Sequence, residues 1–261
     1  MKAIFFDIDG TLFDNNIGQG IPESCVSGIR LAQENGNLCF INTGRTKRLI
    51  ERDITDRICF DGYLLGCGMT IIYKGETLLK KTLDYDLTKE IIEFLRSNRI
   101  DAILEGDEDN YDEKPGEFFT KRFEKYAGKY TDRNFGRYEA AYGKFLKLFA
   151  YTEEEGAMER FFERFSDRLE IIDRENGFYE ILLKGCSKAT AMDFICERLN
   201  IPLEDTVAIG DSNNDLPMLK HAGCAIAMGR SSKDVLACAD YVTTDIGDDG
   251  VYNALKWLGV I

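Results

Sequence analysis

Two aspartates, Asp7 and Asp9, stand one residue apart directly behind the apolar run Ala3-Ile4-Phe5-Phe6, and Gly10 and Thr11 follow at once. The run predicts a buried strand. Side chains two apart on a strand share a face, so both carboxylates converge where the strand stops. Such a pair repels unless a cation or a shared proton compensates, and its hard oxygens suit Mg²⁺. Taken alone, the string also fits an acidic turn. Further reactive groups recur at comparable places: Thr43, Gly44 and Arg45 behind the apolar residues 38–41, Lys188 after Ser187, and the run Gly210-Asp211-Ser212-Asn213-Asn214-Asp215 behind residues 206–209. In open parallel sheets the ligand site lies at the carboxyl ends of the strands. Two acids, a hydroxyl, an ammonium and a further acidic cluster at one sheet edge are what phosphoryl transfer requires.

The elements that must position these groups follow from periodicity. Residues 2–6 read as a strand and residues 7–20 as a loop. Pro22 sits in a first helical turn, Val26, Ile29 and Ala32 recur at helical spacing, and Gly36 ends that helix. Residues 38–41 and 58–65 read as strands, and Ile71-Ile72-Tyr73 with Thr77-Leu78-Leu79 as a hairpin about Lys74-Gly75-Glu76. From Asp84 the texture changes to helix 86–98, strand 101–105, an acidic run 105–113, an aromatic and basic stretch 117–142, and strand 144–151. Thr152 with Glu155 predicts a capping box that opens a helix to about Phe165, and a hairpin turns at Glu175-Asn176-Gly177. Helix–strand alternation then resumes: Ser187 caps a helix to Leu199, residues 206–209 are a strand, a helix reaches Ala222, strands lie at 225–227 and 241–243, and the last helix spans 249–258. The expected organisation is an α/β, Rossmann-like parallel-sheet core formed by residues 1–83 and 184–261, with an inserted α+β domain at 84–183.

Composition narrows the function classes. The chain has 261 residues and a net charge of −13, an acidic surface that repels nucleic acid and anionic lipid. A phosphorylated substrate would need a local cation to offset that field. The eight cysteines form no C-x-x-C pair, which argues for buried thiols in a reducing compartment rather than a zinc site or a disulfide framework. No leader pattern opens the chain, and no apolar run approaches the ~20 residues of a membrane span. The expectation is a cytoplasmic protein, monomeric or a weak homodimer, with no nucleic-acid or membrane partner.

The four strings DIDGT, NTGR, SK at 187–188 and GDSNND, in that order and spacing, resemble the motifs of the haloacid dehalogenase superfamily. The insertion between the second and third resembles the Cof-type phosphatases with a C2B cap. The resemblance implies a Mg²⁺-dependent phosphatase that hydrolyses a small phosphorylated metabolite, a sugar phosphate or a cofactor phosphate, through an aspartyl-phosphate. It assigns Asp7 as nucleophile and Asp9 as acid and then base. Asp7, Asp211 and the backbone carbonyl of Asp9 would hold the metal. Thr43 and the Gly44 N–H would hold phosphoryl oxygens, Lys188 would offset charge on nucleophile and phosphate, Asp215 would support the metal site or Lys188, and Asn214 would add a polar contact. Many Cof-type sequences carry N-G-A where this chain has Gly66-Cys67-Gly68. The inserted domain would supply specificity, from residues 105–126 and the hairpin near Phe178-Tyr179-Glu180. A phosphotransferase or phosphomutase using the same intermediate, and a non-enzymatic phospho-accepting module, are the alternatives. Arg45 is either part of the phosphate loop or a salt bridge at a helix start, and His221 a cap or surface residue.

Overall fold

The structure, a computed structural model, describes residues 1–14, 20–50, 52–113, 135–174 and 177–261. It divides into two compact units, one of Met1–Arg45, Leu49–Lys80 and Ser187–Ile261, the other of Thr46–Arg48 and Lys81–Cys186. The first unit opens with β1 (Ala3–Phe6), α1 (Glu23–Glu34), β2 (Leu38–Asn42), α2 (Arg52–Arg57), β3 (Gly62–Leu65), β4 (Thr70–Tyr73) and β5 (Glu76–Lys80). The second unit holds α3 (Tyr85–Ser97), β6 (Asp101–Gly106), β7 (Asn110–Asp112), β8 (Phe135–Gly136), β9 (Phe145–Tyr151), α4 (Ala157–Phe165), β10 (Leu169–Asp173) and β11 (Phe178–Leu183). The chain returns to the first unit with α5 (Lys188–Leu199), β12 (Thr206–Gly210), α6 (Leu216–His221), β13 (Cys224–Ala227), α7 (Lys233–Cys238), β14 (Tyr241–Val242) and α8 (Gly250–Trp257).

The first unit is built on one sheet in the order β14-β13-β12-β1-β2-β3-β4-β5. Its strands run parallel from β14 to β3, and β4 and β5 add an antiparallel hairpin at one edge. β1 lies in the interior of that sheet, which explains why four successive apolar residues are all buried. Ile4 and Phe6 join α1 and α8 residues such as Ile29 and Leu255 on one face. Ala3 and Phe5 join Met192 and Ile195 of α5 on the other. Both faces are therefore covered, as a parallel sheet demands. The β4–β5 turn is a two-residue loop, Lys74-Gly75, with φ of 48° and 83°. That left-handed pair matches the twist of a tight hairpin.

The second unit carries a six-stranded sheet in the order β10-β11-β9-β6-β7-β8, antiparallel except for β7 beside β8. Phe94 of α3 meets Phe161 and Phe165 of α4 edge-on at 5.5 Å. On the strands, Lys147 of β9 lies opposite Glu105 of β6 and bonds to Glu180 of β11. All three are essentially buried, so the ammonium sits between two carboxylates out of water.

Several local expectations shift. The helix expected to open at Thr152 begins at Ala157 behind Gly156, whose φ is 73°. The Thr152 hydroxyl instead accepts the N–H of Glu154, a local turn that competes with helix capping. The third strand is shorter than residues 58–65, and β7, β8 and α7 have no counterpart in the sequence reading. The hairpin residues Glu175 and Asn176 and most of the aromatic stretch 117–142 lie outside the described residues, as do residues 15–19 of the loop 7–20. His221 ends α6 with Nε2 2.5 Å from Asp193, a surface pairing.

Candidate active site

Asp7 is the first residue past β1, and its N–H donates to the Ile209 carbonyl of β12 at 3.0 Å. One backbone bond thus ties the end of the first strand to the strand that delivers Asp211. Lys188 is the first residue of α5, whose start is set by a reciprocal capping box between Ser187 and Thr190. The Asn42 side chain at the end of β2 donates to the Lys188 carbonyl at 2.9 Å. A cap and a cross-strand amide therefore fix where the lysine leaves the backbone.

The Lys188 ammonium, fully buried, lies 2.6 Å from Asp7 Oδ1 and also bonds Asp215 Oδ1. Asp215 Oδ2 accepts the N–H groups of Asp211 and Ser212, both at 3.0 Å. Both Asp215 oxygens are thus engaged, one by the ammonium and one by the loop that carries Asp211. Oxygens of Asp7, Asp211 and Asp215 lie within 4.8 Å of one another. Because Asp215 is committed to Lys188 and to its own loop, Asp7 and Asp211 are the carboxylates with capacity to spare. Thr11 is buried and its hydroxyl donates to Asp211 Oδ1 at 3.4 Å. Gly10 has φ of +83°, and a Cβ there would lie 2.2 Å from Asp211 Oδ2, so only glycine lets the loop pass this carboxylate.

Three carboxylates against one ammonium leave an excess of two negative charges in a dry setting. Burial, reinforced by Asp215, pushes the Asp7 carboxyl up to about 7 against the pull of Lys188. Burial together with Asp7 and Asp215 pushes Asp211 up to about 8. Burial works against the Lys188 charge, but Asp215 and Asp7 outweigh it and hold the ammonium above the usual lysine range. The cluster is thus strained for want of positive charge. A set of hard oxygen donors two charges in excess fits a small divalent cation.

Asp9 does not join this cluster. Its carboxylate is exposed and takes a two-armed bond from Arg45, Nε to Oδ2 at 2.7 Å and Nη2 to Oδ1 at 2.5 Å. Thr43 is buried behind β2, and its hydroxyl accepts the Arg45 N–H at 3.2 Å. Gly44 follows, half-buried. The Cys67 N–H donates to the Thr43 carbonyl at 3.0 Å, and Cys67 is buried, in a left-handed conformation with φ of 55°. Asn214 accepts the Ser212 hydroxyl at 2.5 Å, so its oxygen serves the loop.

Of the residues expected from the sequence, the structure brings Asp7, Lys188, Asp211 and Asp215 into one network. It places Asp9, Thr43 and Arg45 in a second one. Sequence reasoning missed Asn42, Thr11 as the partner of Asp211, and the Arg45 fork on Asp9. The adjacency of Arg45 to Thr43-Gly44 was the one available signal for the last.

Comparison with known proteins follows the same lines. A family model described as haloacid dehalogenase-like hydrolase matches residues 4–255. The chain is 28% identical to YkrA of Bacillus subtilis over 270 residues, covering 100% of this chain and 98% of that protein. It is 26% identical to the 5-amino-6-(5-phospho-D-ribitylamino)uracil phosphatase YcsE of the same organism, covering 98% and 95%. Among solved structures, the HAD subclass IIB sugar phosphatase BT4131 superposes with a TM-score of 0.84 at 30% identity, covering all of both chains.

Proposed function

The chain belongs to the haloacid dehalogenase-like hydrolases and, like its relatives, acts on phosphate esters; on that premise we propose a Mg²⁺-dependent phosphomonoesterase that hydrolyses a small phosphorylated metabolite through Asp7. The observation that carries this reading is the Lys188 ammonium between Asp7 and Asp215 with Asp211 beside them. The arrangement leaves a nucleophilic carboxylate paired with a cation and in need of another.

In the proposed reaction an oxygen of Asp7 attacks phosphorus, the ester P–O bond breaks, and Asp9 gives its proton to the departing alcohol oxygen. Water then attacks phosphorus, Asp9 takes the water proton, and Asp7 is released. A carboxylate nucleophile splits one slow hydrolysis into two easier transfers. Lys188 holds Asp7 Oδ1 and leaves the other oxygen to react. Thr43 and the Gly44 N–H are suited to hold phosphoryl oxygens, because the Thr43 hydroxyl oxygen already accepts from Arg45 and its proton is left to donate. Asp7, Asp211 and the Asp9 carbonyl would hold Mg²⁺, which supplies charge neutralisation for the phosphoryl group when bound. Asp215 keeps Lys188 and the Asp211 loop in place.

The unit formed by Lys81–Cys186 with Thr46–Arg48 is proposed as the part that reads the leaving group. YcsE and BT4131 are named for a phosphorylated ribityl compound and for sugar phosphates, which makes phosphorylated polyols and sugars the first substrates to try. Eight free cysteines support a reducing, cytoplasmic setting. Among the described residues no helix is long and apolar enough to cross a membrane.

The test is a phosphate-release screen with Mg²⁺ over sugar phosphates, polyol phosphates, cofactor phosphates and nucleotides, with Asp7→Asn as control. Release by the native protein and none by the variant supports the proposal. Equal traces from both proteins would overturn it, and transfer to an added alcohol faster than to water would replace the hydrolase by a phosphotransferase.

A further inference from the structure

The Asp9 carboxylate is the exposed member of the site and Arg45 the anchored one. The Arg45 side chain is 13% exposed against 54% for Asp9. Its third arm, Nη1, donates to the Leu49 carbonyl at 3.1 Å, and its guanidinium carbon stands 5.9 Å from the centre of the Phe13 ring. Its backbone N–H is held by Thr43. One rigid arginine therefore touches both loops of the proposed chemistry, that of the acid–base residue and that of the phosphate. A two-armed guanidinium fixes both oxygens of a carboxylate and its rotation, which a lysine cannot do.

We propose that Arg45 is the positioning residue for Asp9, aiming its carboxyl for proton transfer to the leaving alcohol and from the incoming water. The inference rests on the acid–base role given above to Asp9. Proton balance sets how the fork must work. When Asp9 gives its proton to the alcohol oxygen, each carboxyl oxygen keeps its arm of Arg45 and the proton leaves from the remaining lone-pair direction of one of them. In the second step the water proton returns to Asp9, closing the cycle. Without the fork an exposed carboxyl samples several rotamers, and only a fraction of encounters are productive.

The dependence on leaving group separates this role from a structural one. The ratio kcat/KM reports only steps up to release of the alcohol. A p-nitrophenyl phosphate releases a stable anion that needs little help from an acid, whereas an alkyl phosphate such as glycerol phosphate needs the proton. Arg45→Ala and Arg45→Gln are expected to lower kcat/KM for glycerol phosphate by ~100-fold, the low end of what general acid catalysis contributes, and for p-nitrophenyl phosphate by less than ~5-fold. The turnover number should fall with both substrates, because Asp9 must also deprotonate water. Arg45→Lys, with charge but no fork, should fall between. Asp9→Asn should show the same split, and adding Arg45→Ala to it should cost little more, since residues that act as a unit are not additive. An equal loss of kcat/KM on both substrates, or a full additive loss in the double variant, would overturn the assignment of Arg45. If Asp9→Asn shows the split and the Arg45 variants do not, Arg45 alone is misassigned. If Asp9→Asn shows no split, the acid–base reading of Asp9 fails and takes the Arg45 role with it.

Discussion

Replacing the Asp211 carboxylate should make the metal-free protein more stable. Asp211 carries a carboxyl pushed from 3.8 up to about 8 by burial and by Asp7 and Asp215. A folded-state value above the unfolded one means that the folded chain holds its proton to higher pH. The associated stability is present in full below 3.8 and is lost as pH rises toward 8. A shift from 3.8 to about 8 corresponds to about 6 kcal/mol at pH 8. An amide in place of the carboxylate removes the charge but still leaves a polar group partly out of water. Asp211→Asn is therefore expected to stabilise the metal-free fold by ~2 kcal/mol at pH 8 and to lose that advantage steadily as pH falls toward 3.8, below which the carboxyl is protonated in folded and unfolded chains alike. The assay is urea unfolding with a chelator at pH 5, 6.5 and 8, repeated with excess Mg²⁺. With the metal the order should invert, because only the native protein gains from binding. A variant less stable than the native protein at pH 8 without metal, or a difference that ignores pH, would refute the electrostatic account of this site.

Other expectations follow from the same geometry. Lys188→Met leaves Asp7 and Asp215 buried without their ammonium, and unfolding at pH 7.5 should show a loss of ~3–5 kcal/mol in the metal-free protein, along with loss of phosphate release. Gly10→Ala drives a Cβ to 2.2 Å from Asp211; Mg²⁺ titration of activity should need at least ~10-fold more metal, about 1.4 kcal/mol, and an unchanged titration would refute the close approach. In the second unit, Lys147 and Arg174 offset burial and hold the Glu180 carboxyl down at about 2. This group is ionised in the fold below its unfolded value of 4.5, so its contribution exists above 4.5 and disappears as pH falls toward 2. Glu180→Gln should cost ~3 kcal/mol at pH 7, the difference shrinking below pH 4.5 and closing as pH falls toward 2, read by urea unfolding of the whole chain.

Much of the first unit was legible because its signals are local. An apolar run on both faces of a parallel sheet reads as a strand whatever its neighbours, and Ser187 announces the helix start that follows it. Asp7 and Asp211 could be placed together because strand ends of a parallel sheet gather on one edge, and Lys188 stands at the start of the helix that leads into the last of those strands. The less legible features depend on partners far along the chain. The Arg45 fork joins residues 36 apart, and the Asn42 bond to Lys188 joins residues 146 apart. Apart from the place of Arg45 directly after Thr43-Gly44, nothing in the neighbouring residues encodes these partners. Thr152 misled because a hydroxyl can close a local turn as readily as it caps a helix, and the left-handed Gly156 won the helix start. Strands β7 and β8 and helix α7 are too short to show a period. The burial of Lys147 depends in the same way on carboxylates carried by the two flanking strands.

During turnover Asp7 should carry the phosphoryl group. The direct measurement is an acid quench within the first turnover of a good substrate with Mg²⁺, followed by mass analysis of the peptide that begins at Lys2. Added phosphoryl mass is expected on Asp7, appearing before free phosphate and absent from Asp7→Asn. Full turnover with no phosphorylated peptide at any quench time, or phosphoryl mass on another residue, would contradict it.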